Sequence, residues 1–458
     1  MRDRRKHSPE YPRTRGAAAQ RPERGAILVI VLWVVFGLVA LTLYFADSMT
    51  TELHIGDNVL RVAEAQEAVE GGARYITQVL TLSASEGHPP LSTDFFPEEL
   101  PVGPSTFWLI GRDPDVEPGS EPVFGLVDEA GKLNLNTATR EMLEALPNML
   151  PEFAAAIIDW RDRNSDPTDN GAEDNAYASL SPPRAPKNAA FETVGELRLV
   201  YGSTLNLLFG EDANLNGTLD DNENDGTRSA PYDDADGLLL AGLFNYVTVY
   251  SRQPNTRASG GDRLNVASAT DRPQIQQLLA SRFDDARATQ IMAAIGPDPL
   301  RSVAEFMVRS DLTAEEFAQI ETDLTADNGR FATGRVNINT APATVLSCLP
   351  GIGIENVDAV INYRLSQSEK LTSIGWLTEV LDPTAIIAAG PYITGQSYQF
   401  SADIAAVGRF GRGYARSQFI YDLSDGTPRI VYRADRTGLG WALGRRVRES
   451  LELLSHRS

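Results

Sequence analysis

Ala26-Ile-Leu-Val-Ile-Val-Leu-Trp-Val-Val-Phe-Gly-Leu-Val-Ala-Leu-Thr-Leu-Tyr-Phe-Ala46 is an uncharged, almost wholly apolar run directly behind Arg21-Pro-Glu-Arg-Gly25. At about 1.5 Å rise per residue, a helix over this run covers the roughly 30 Å hydrocarbon core of a bilayer. The run therefore reads as a membrane span. A cleaved secretory signal would have a shorter apolar core and small residues at a cut on its far side. Here the far side is Tyr44-Phe-Ala-Asp-Ser-Met-Thr50, which continues as amphipathic helix. Residues 1–25 hold eight Lys/Arg against three Asp/Glu, so the positive-inside rule keeps them in the cytoplasm. The remainder, with 33 basic and 59 acidic residues, lies on the other side.

Beyond the span, the chain is long enough for two or three domains, and 42% hydrophobic content can build real cores. Its acidity repels nucleic acid and anionic surfaces while suiting a protein that binds divalent cations. Cys348 is the single cysteine, so no intramolecular disulfide forms.

Ile55, Val59, Val62, Ala65, Val69, Ala73, Ile76 and Leu80 recur at steps of three and four, extending the membrane helix to about Leu82. A polar, proline-rich linker follows over 83–104. Thr106–Gly111 and Pro122–Val127 then read as short strands, as does Phe244–Tyr250. Near the other end, Tyr398–Ala406, Ala415–Asp422 and Arg429–Arg433 alternate between glycine-containing turns and read as an antiparallel meander. The basic tail from Arg433 to Ser458 carries no clear assignment.

An internal repeat lies between these parts. Lys132-Leu-Asn-Leu-Asn-Thr-Ala-Thr139 leads through Leu146-Pro147 to Ile157-Ile-Asp-Trp-Arg161. Arg335-Val-Asn-Ile-Asn-Thr-Ala-Pro342 leads through Leu349-Pro350 to Val360-Ile-Asn-Tyr-Arg364. The tails Thr193-Val-Gly-Glu-Leu197 and Ser373-Ile-Gly-Trp-Leu377 also match, and a weaker third match runs from Arg263-Leu-Asn-Val266 to Ser302-Val-Ala-Glu-Phe306. Asn and Thr suit helix caps, Ala-Pro suits a first turn, and Gly351-Ile-Gly353 suits a tight turn between helices. These are hairpins of the helix-hairpin-helix or SAM-like kind. Such hairpins often take phosphate on backbone amides, but Glu355 and Asp358 beside the glycines disfavour it here.

Asp212-Ala-Asn-Leu-Asn-Gly-Thr-Leu-Asp-Asp-Asn-Glu223 has the spacing of an EF-hand calcium loop. Asp212, Asn214, Asn216, Asp220 and Glu223 fall at positions 1, 3, 5, 9 and 12, with Gly217 at the bend and the Thr218 carbonyl at position 7. Ca²⁺ wants six to eight hard oxygens, so a structural ion of modest affinity is expected, against the alternative of an acidic surface turn. A second acidic stretch, Asp162–Asp174, offers oxygens without fixed spacing. It reads either as a solvated loop or as a second calcium site using Glu173 and Asp174. No motif for catalysis is found: the four histidines stand apart, and Cys348 reads as core.

Together these features resemble the K-type minor pseudopilin of the type II secretion pathway. The resemblance rests on the Arg24-Gly25-Ala26 junction, Asp128–Thr137, Ile158-Asp-Trp-Arg161, Gly171-Ala-Glu-Asp174 with Tyr177, Pro182-Pro183, and Phe191-Glu-Thr-Val-Gly-Glu-Leu197. It implies an α+β fold in which a transmembrane helix continues into a pilin-like αβ domain with a large inserted helical domain and a C-terminal β meander. The expected divisions are a basic leader 1–25, span 26–46, helix and first strands 47–125, inserted helical domain 126–330, second hairpin repeat 331–390, and meander with tail 391–458. It further implies a single-pass inner-membrane protein, mainly periplasmic and non-enzymatic, with calcium bound. Implied partners are I- and J-type minor pseudopilins at the fibre tip, the major pseudopilin, the inner-membrane assembly platform, and a prepilin peptidase that cuts between Gly25 and Ala26 and methylates the new amine. The junction also reads as an uncut signal anchor. Where most pilins carry Glu at the fifth mature position this chain has Ile30, as suits a subunit with nothing above it. Alternative readings are a membrane-anchored DNA receptor of the competence type, disfavoured by the acidic charge, and a minor type IV pilin.

Overall fold

The computed structural model describes residues 24–86, 89–91, 93–112 and 121–455, so most of the basic leader lies outside the described residues. The chain divides into two units, residues 1–59 and 60–458. Both contain part of α1 (Arg24–Glu86), the one described helix long and apolar enough to cross a membrane. In the first unit its large apolar side chains from Ile27 onward are exposed.

In the second unit, α1 buries Ala65, Ala68, Val69, Ala73, Ile76, Val79 and Leu80, the continuation of the periodic face. The earlier members Ile55, Val59 and Val62 stay exposed. This stripe packs on a sheet that begins with β1 (Leu100–Val102) and β2 (Ser105–Ile110) and continues with β3 (Val127–Asp128). Close approach requires Gly72: a Cβ there would lie 3.0 Å from Ile404 and 3.1 Å from Phe107. The strand expected over 122–127 is reduced to a single bridge from Phe124 to Ile110, with pairing resuming only at Val127.

The chain then leaves the sheet for the helical insertion. Its strands are β4 (Leu133–Asn134), β5 (Val247–Thr248), β6 (Arg252–Pro254), β7 (Leu264–Asn265), β8 (Leu324–Thr325), β9 (Phe331–Thr333), β10 (Val336–Asn337) and β11 (Ile393–Thr394). It returns through β12 (Gln399–Val407), β13 (Tyr414–Asp422) and β14 (Arg429–Asp435), completing the antiparallel order β1-β2-β12-β13-β14 with β3 also on β12. The meander expected from alternation is present. β12 is buried throughout because both faces are covered. α1 lies on one face; on the other, Trp108, Ile110, Ala405 and Val407 meet Ala442, Leu443 and Val447. Val447 belongs to the helix Gly444–Ser455, so the unassigned tail supplies the third layer.

The insertion is built from three copies of one unit. Each opens with an apolar-Asn strand and closes with an apolar-Thr strand that pairs with it in parallel: β4 with β5, β7 with β8, and β10 with β11. The opening asparagines act identically, Oδ1 accepting from the amide two residues on: Asn134 from Asn136 (2.9 Å), Asn265 from Ala267 (2.8 Å), Asn337 from Asn339 (2.9 Å). They thus close local turns rather than capping helices. The closing threonines repeat the pattern, Thr248, Thr325 and Thr394 each accepting at 3.1 Å from the second amide ahead. The weak third match is therefore a complete copy. Its hairpin, helices Arg272–Arg282 and Asp285–Ile295, matches Arg140–Glu144 with Pro151–Arg161, and Ala343–Leu346 with Gly353–Ser366. Buried residues from Leu133 to Ile393 share one core, on both sides of position 330.

Phe244–Tyr250, expected as a long strand, is a 3-10 turn (Leu243–Asn245) followed by two-residue β5. Only two residues pair because the opening strand it closes is itself two residues long.

Candidate calcium centres

The first copy is the longest, and its extra length holds the acidic loop. The chain enters the loop from the helix Leu205–Phe209, held by a bridge from Gly210 to Ala241 and a bond from Glu211 N to Leu240 O (2.8 Å). It leaves through the 3-10 turn Asp221–Glu223.

Inside the loop most of the expected ligand residues are buried, and Asp220 is half-buried. Asp212, Asn214, Asn216, Thr218 and Glu223 are buried, which for polar side chains demands partners. Asp212 Oδ1 accepts from Asn216 N (2.9 Å) and Oδ2 from Gly217 N (3.1 Å). Glu223 Oε1 accepts from Ala213 N (2.9 Å) and Oε2 from Asp220 N (3.0 Å). Asp220 Oδ2 accepts from the side-chain amides of both Asn214 (2.7 Å) and Asn216 (3.0 Å). The bend at position 6 needs glycine: Gly217 has φ +76°, and a Cβ there would stand 2.9 Å from the Arg112 guanidinium.

Two features fit this loop to a hard divalent cation. Asn214 Oδ1 is buried and accepts from nothing among the described residues. The carboxylates are also crowded: burial first, then the charges of Asp212 and Asp220, push the Glu223 carboxyl up to about 8. Burial likewise raises the Asp220 carboxyl, against the pull of the two asparagine amides. A cation held by Asp212, Asn214, Asn216, Asp220, Glu223 and the Thr218 carbonyl would neutralise that crowding.

The second acidic stretch gathers a different group of carboxylates from the expected pair Glu173 and Asp174. Asp159, Asp162 and Glu173 bring carboxylate oxygens within 4.8 Å of one another, whereas Asp174 is exposed at the start of the helix Asp174–Ala178. Asp159, not singled out in the sequence, is fully buried and accepts from Thr168 N (3.1 Å) and Ala172 N (2.7 Å). Both Glu173 carboxylate oxygens are buried without a well-formed hydrogen bond among the described residues, although the Asn188 side chain eases the charge. Burial, reinforced by Asp159, Asp162 and Asp174, pushes this carboxyl up to about 7. The sequence signal that went unread is the spacing from Asp162 to Glu173, which repeats that from Asp212 to Glu223 with Pro167 at the bend. Asn164 and Asp166 are exposed, so this loop does not wrap inward as the other does. The tight group is instead completed by Asp159 on the helix Pro151–Arg161.

The remaining sequence candidates belong to other elements. Gly25 and Ala26 occupy the start of α1, and Ile30 is exposed on it. Cys348 is buried with its Sγ donating to Thr344 O (3.1 Å), and burial pushes the thiol up to about 12, which leaves it inert at neutral pH. At the Gly351–Gly353 turn, a Cβ on Gly353 would collide with the Glu355 carboxylate, so an acidic group already lies against this turn.

The fold defines the class: an α+β body on an apolar N-terminal helix, interrupted by a threefold helical insertion. Within it, residues 129–208 match the family model for protein K of the type II secretion system. Over 51 residues the chain is 43% identical to the type II secretion system protein K of Pectobacterium carotovorum subsp. carotovorum, covering 11% of this chain and 16% of that relative's length. Among solved structures it is similar to a chain in the crystal structure of the GspK-GspI-GspJ complex from the enterotoxigenic Escherichia coli type 2 secretion system. That alignment has 11% identity and a TM-score of 0.38, and covers 85% of this chain and 99% of the other.

Proposed function

We propose that this chain is a non-enzymatic minor pseudopilin at the tip of the type II secretion pseudopilus, where it helps initiate fibre assembly and protein export across the outer membrane. One observation carries the reading: the insertion bearing the protein K segment interrupts a sheet packed on the continuation of a membrane-length apolar helix. On this reading the helix is a single-pass inner-membrane anchor with its N-terminus cytoplasmic and the bulk periplasmic. The prepilin peptidase cuts before Ala26 and methylates it. I- and J-type minor pseudopilins are the immediate neighbours, with the major pseudopilin and assembly platform beyond them.

Calcium is proposed as a structural ion in both acidic centres, neutralising carboxylates that the fold buries side by side. The reading is tested by co-expressing the chain with its I- and J-type minor pseudopilins and purifying on a tag carried by this chain alone. A stable equimolar complex is expected, and recovery of this chain alone would count against the assignment.

A further inference from the structure

The loop 212–223 is hydrogen-bonded to the sheet as well as within its own domain. Arg416 on β13 is wholly buried, and it divides its donors between two structures. Nε and Nη2 meet the Asp403 carboxylate on β12 at 2.8 and 2.7 Å. Nη1 donates to the carbonyl of Asn214, and Nη2 also reaches Leu215 O at 2.8 Å. Those carbonyls are the third and fourth residues of the calcium loop. They face the sheet because Leu215 takes a left-handed conformation, φ +56°, while Asp212 holds the amides of Asn216 and Gly217 just beyond it. Two further segments of the body grip the same loop. Arg112, just past β2, donates to Asp212 Oδ2 (3.3 Å) and Asn245 Oδ1 (3.1 Å), and the Trp441 carbonyl accepts from Asn214 Nδ2 (2.9 Å).

The insertion also touches the sheet elsewhere. Arg252 donates from its backbone to Gln399 (2.8 Å) and from its side chain to Asp422 (3.1 Å), with none of the acidic centres' oxygens involved. Asp422 and Arg416 stand near opposite ends of β13, roughly 20 Å apart at strand rise. The domain joint thus has one end that the proposed calcium ligands form and one end that they do not.

We propose that the loop 212–223 is a calcium-dependent latch that clasps the helical insertion to the pilin-like sheet through Arg416. The ion fixes the loop geometry that presents the Asn214 and Leu215 carbonyls to the guanidinium. Loss of the ion frees those carbonyls while the Arg252–Asp422 end remains as the pivot. Because linkage is reciprocal, the contact that the ion strengthens must strengthen ion binding by the same factor. The inference rests on the calcium reading of this loop.

Hydrogen exchange of the full chain in detergent micelles, with saturating calcium and with chelator, tests it. Removing calcium is expected to speed exchange in 212–223 and, by roughly tenfold, in peptides around Asp403, Arg416 and Trp441, but not around Asp422. Arg416→Gln, in which Arg436 still pairs with Asp403 at 2.6 Å, is expected to keep calcium protection within the loop. It should lose that protection in the sheet and bind calcium roughly tenfold more weakly. Calcium protection confined to the loop in the native chain, or sheet protection surviving in Arg416→Gln, would overturn the latch. Calorimetric titration separates the two ideas: if the native chain binds no calcium, the calcium reading itself falls.

Discussion

Asp403 and Arg416, diagonal neighbours on β12 and β13, form a two-point ion pair buried between the sheet and the acidic loop. Burial alone would raise the Asp403 carboxyl, but the guanidiniums of Arg416 and Arg436 outweigh it and hold the group at about 2. A carboxyl depressed in the folded state stabilises the fold above its unfolded value near 3.8, and that contribution is lost as pH falls toward 2. The shift corresponds to about 2 kcal/mol. Acid unfolding of the native chain is therefore expected to be steeper below pH 4 than that of Asp403→Asn. That variant should itself be destabilised by about 3 kcal/mol at pH 7, since it strands a buried guanidinium. Denaturant melts at pH 3, 4 and 7 check both; coincident slopes for the two proteins would remove the pair from the acid limb.

Arg161 and Arg364 perform one task in two copies. Arg364 Nη1 donates to Ile338 O (3.1 Å) and Ala341 O (2.8 Å), and Arg161 donates to the matching carbonyls of Leu135 and Ala138. Each ties the end of a hairpin to its opening strand. Arg364→Met should cost about 2–3 kcal/mol by leaving buried carbonyls without donors, read from thermal or denaturant unfolding. A loss below half a kcal/mol would mean that water replaces the guanidinium.

The constant spacing of these arginines made two of the three copies legible, and apolar periodicity fixed α1 and the meander. The third copy was faint because Asn265 and Thr325 preserve only the bridge while its hairpin lacks the arginine, with Met292 at that step. Phe244–Tyr250 misled because aromatic and β-branched residues favour strands, yet here they fill the core around a two-residue bridge. The inward-turned polar side chains of the loop 212–223 were legible because they are local in sequence. The second centre was only half legible because Asp159 comes from the preceding helix, and contacts between elements leave no fixed spacing.

Calcium should raise the melting temperature of the full chain by binding the folded state alone. Asp212→Ala with Glu223→Ala should remove one part of the rise, and Asp159→Asn with Glu173→Gln the other. The native chain should take up more than one ion in calorimetric titration. If the Glu173 variant binds as many ions as the native chain, the second centre is only an acidic loop.

Cleavage should leave Ala26 as the first residue, since Gly25 lets the backbone approach a peptidase closely. Intact-mass analysis of the membrane-bound protein reads this directly. A chain retaining residues 1–25 would favour the uncut anchor and detach the protein from pilin-type processing.

Ile30 should restrict this chain to the first position of a fibre. In lipid an unpaired carboxylate is expensive, and a glutamate at this place is useful only where the amine of a subunit above can answer it. Ile30 is apolar and lies on a helix whose neighbouring side chains are apolar too, so it neither needs nor offers that pairing. The bulk of the insertion acts in the same direction, because a further domain beside the sheet would crowd a tightly wound shaft. One copy per fibre is therefore expected. Gold labelling of this chain on overexpressed fibres should mark a single end, and Ile30→Glu should leave the membrane insertion intact while lowering the number of fibres started. Label scattered along the shafts, or unchanged fibre numbers in Ile30→Glu, would refute the role given to this position.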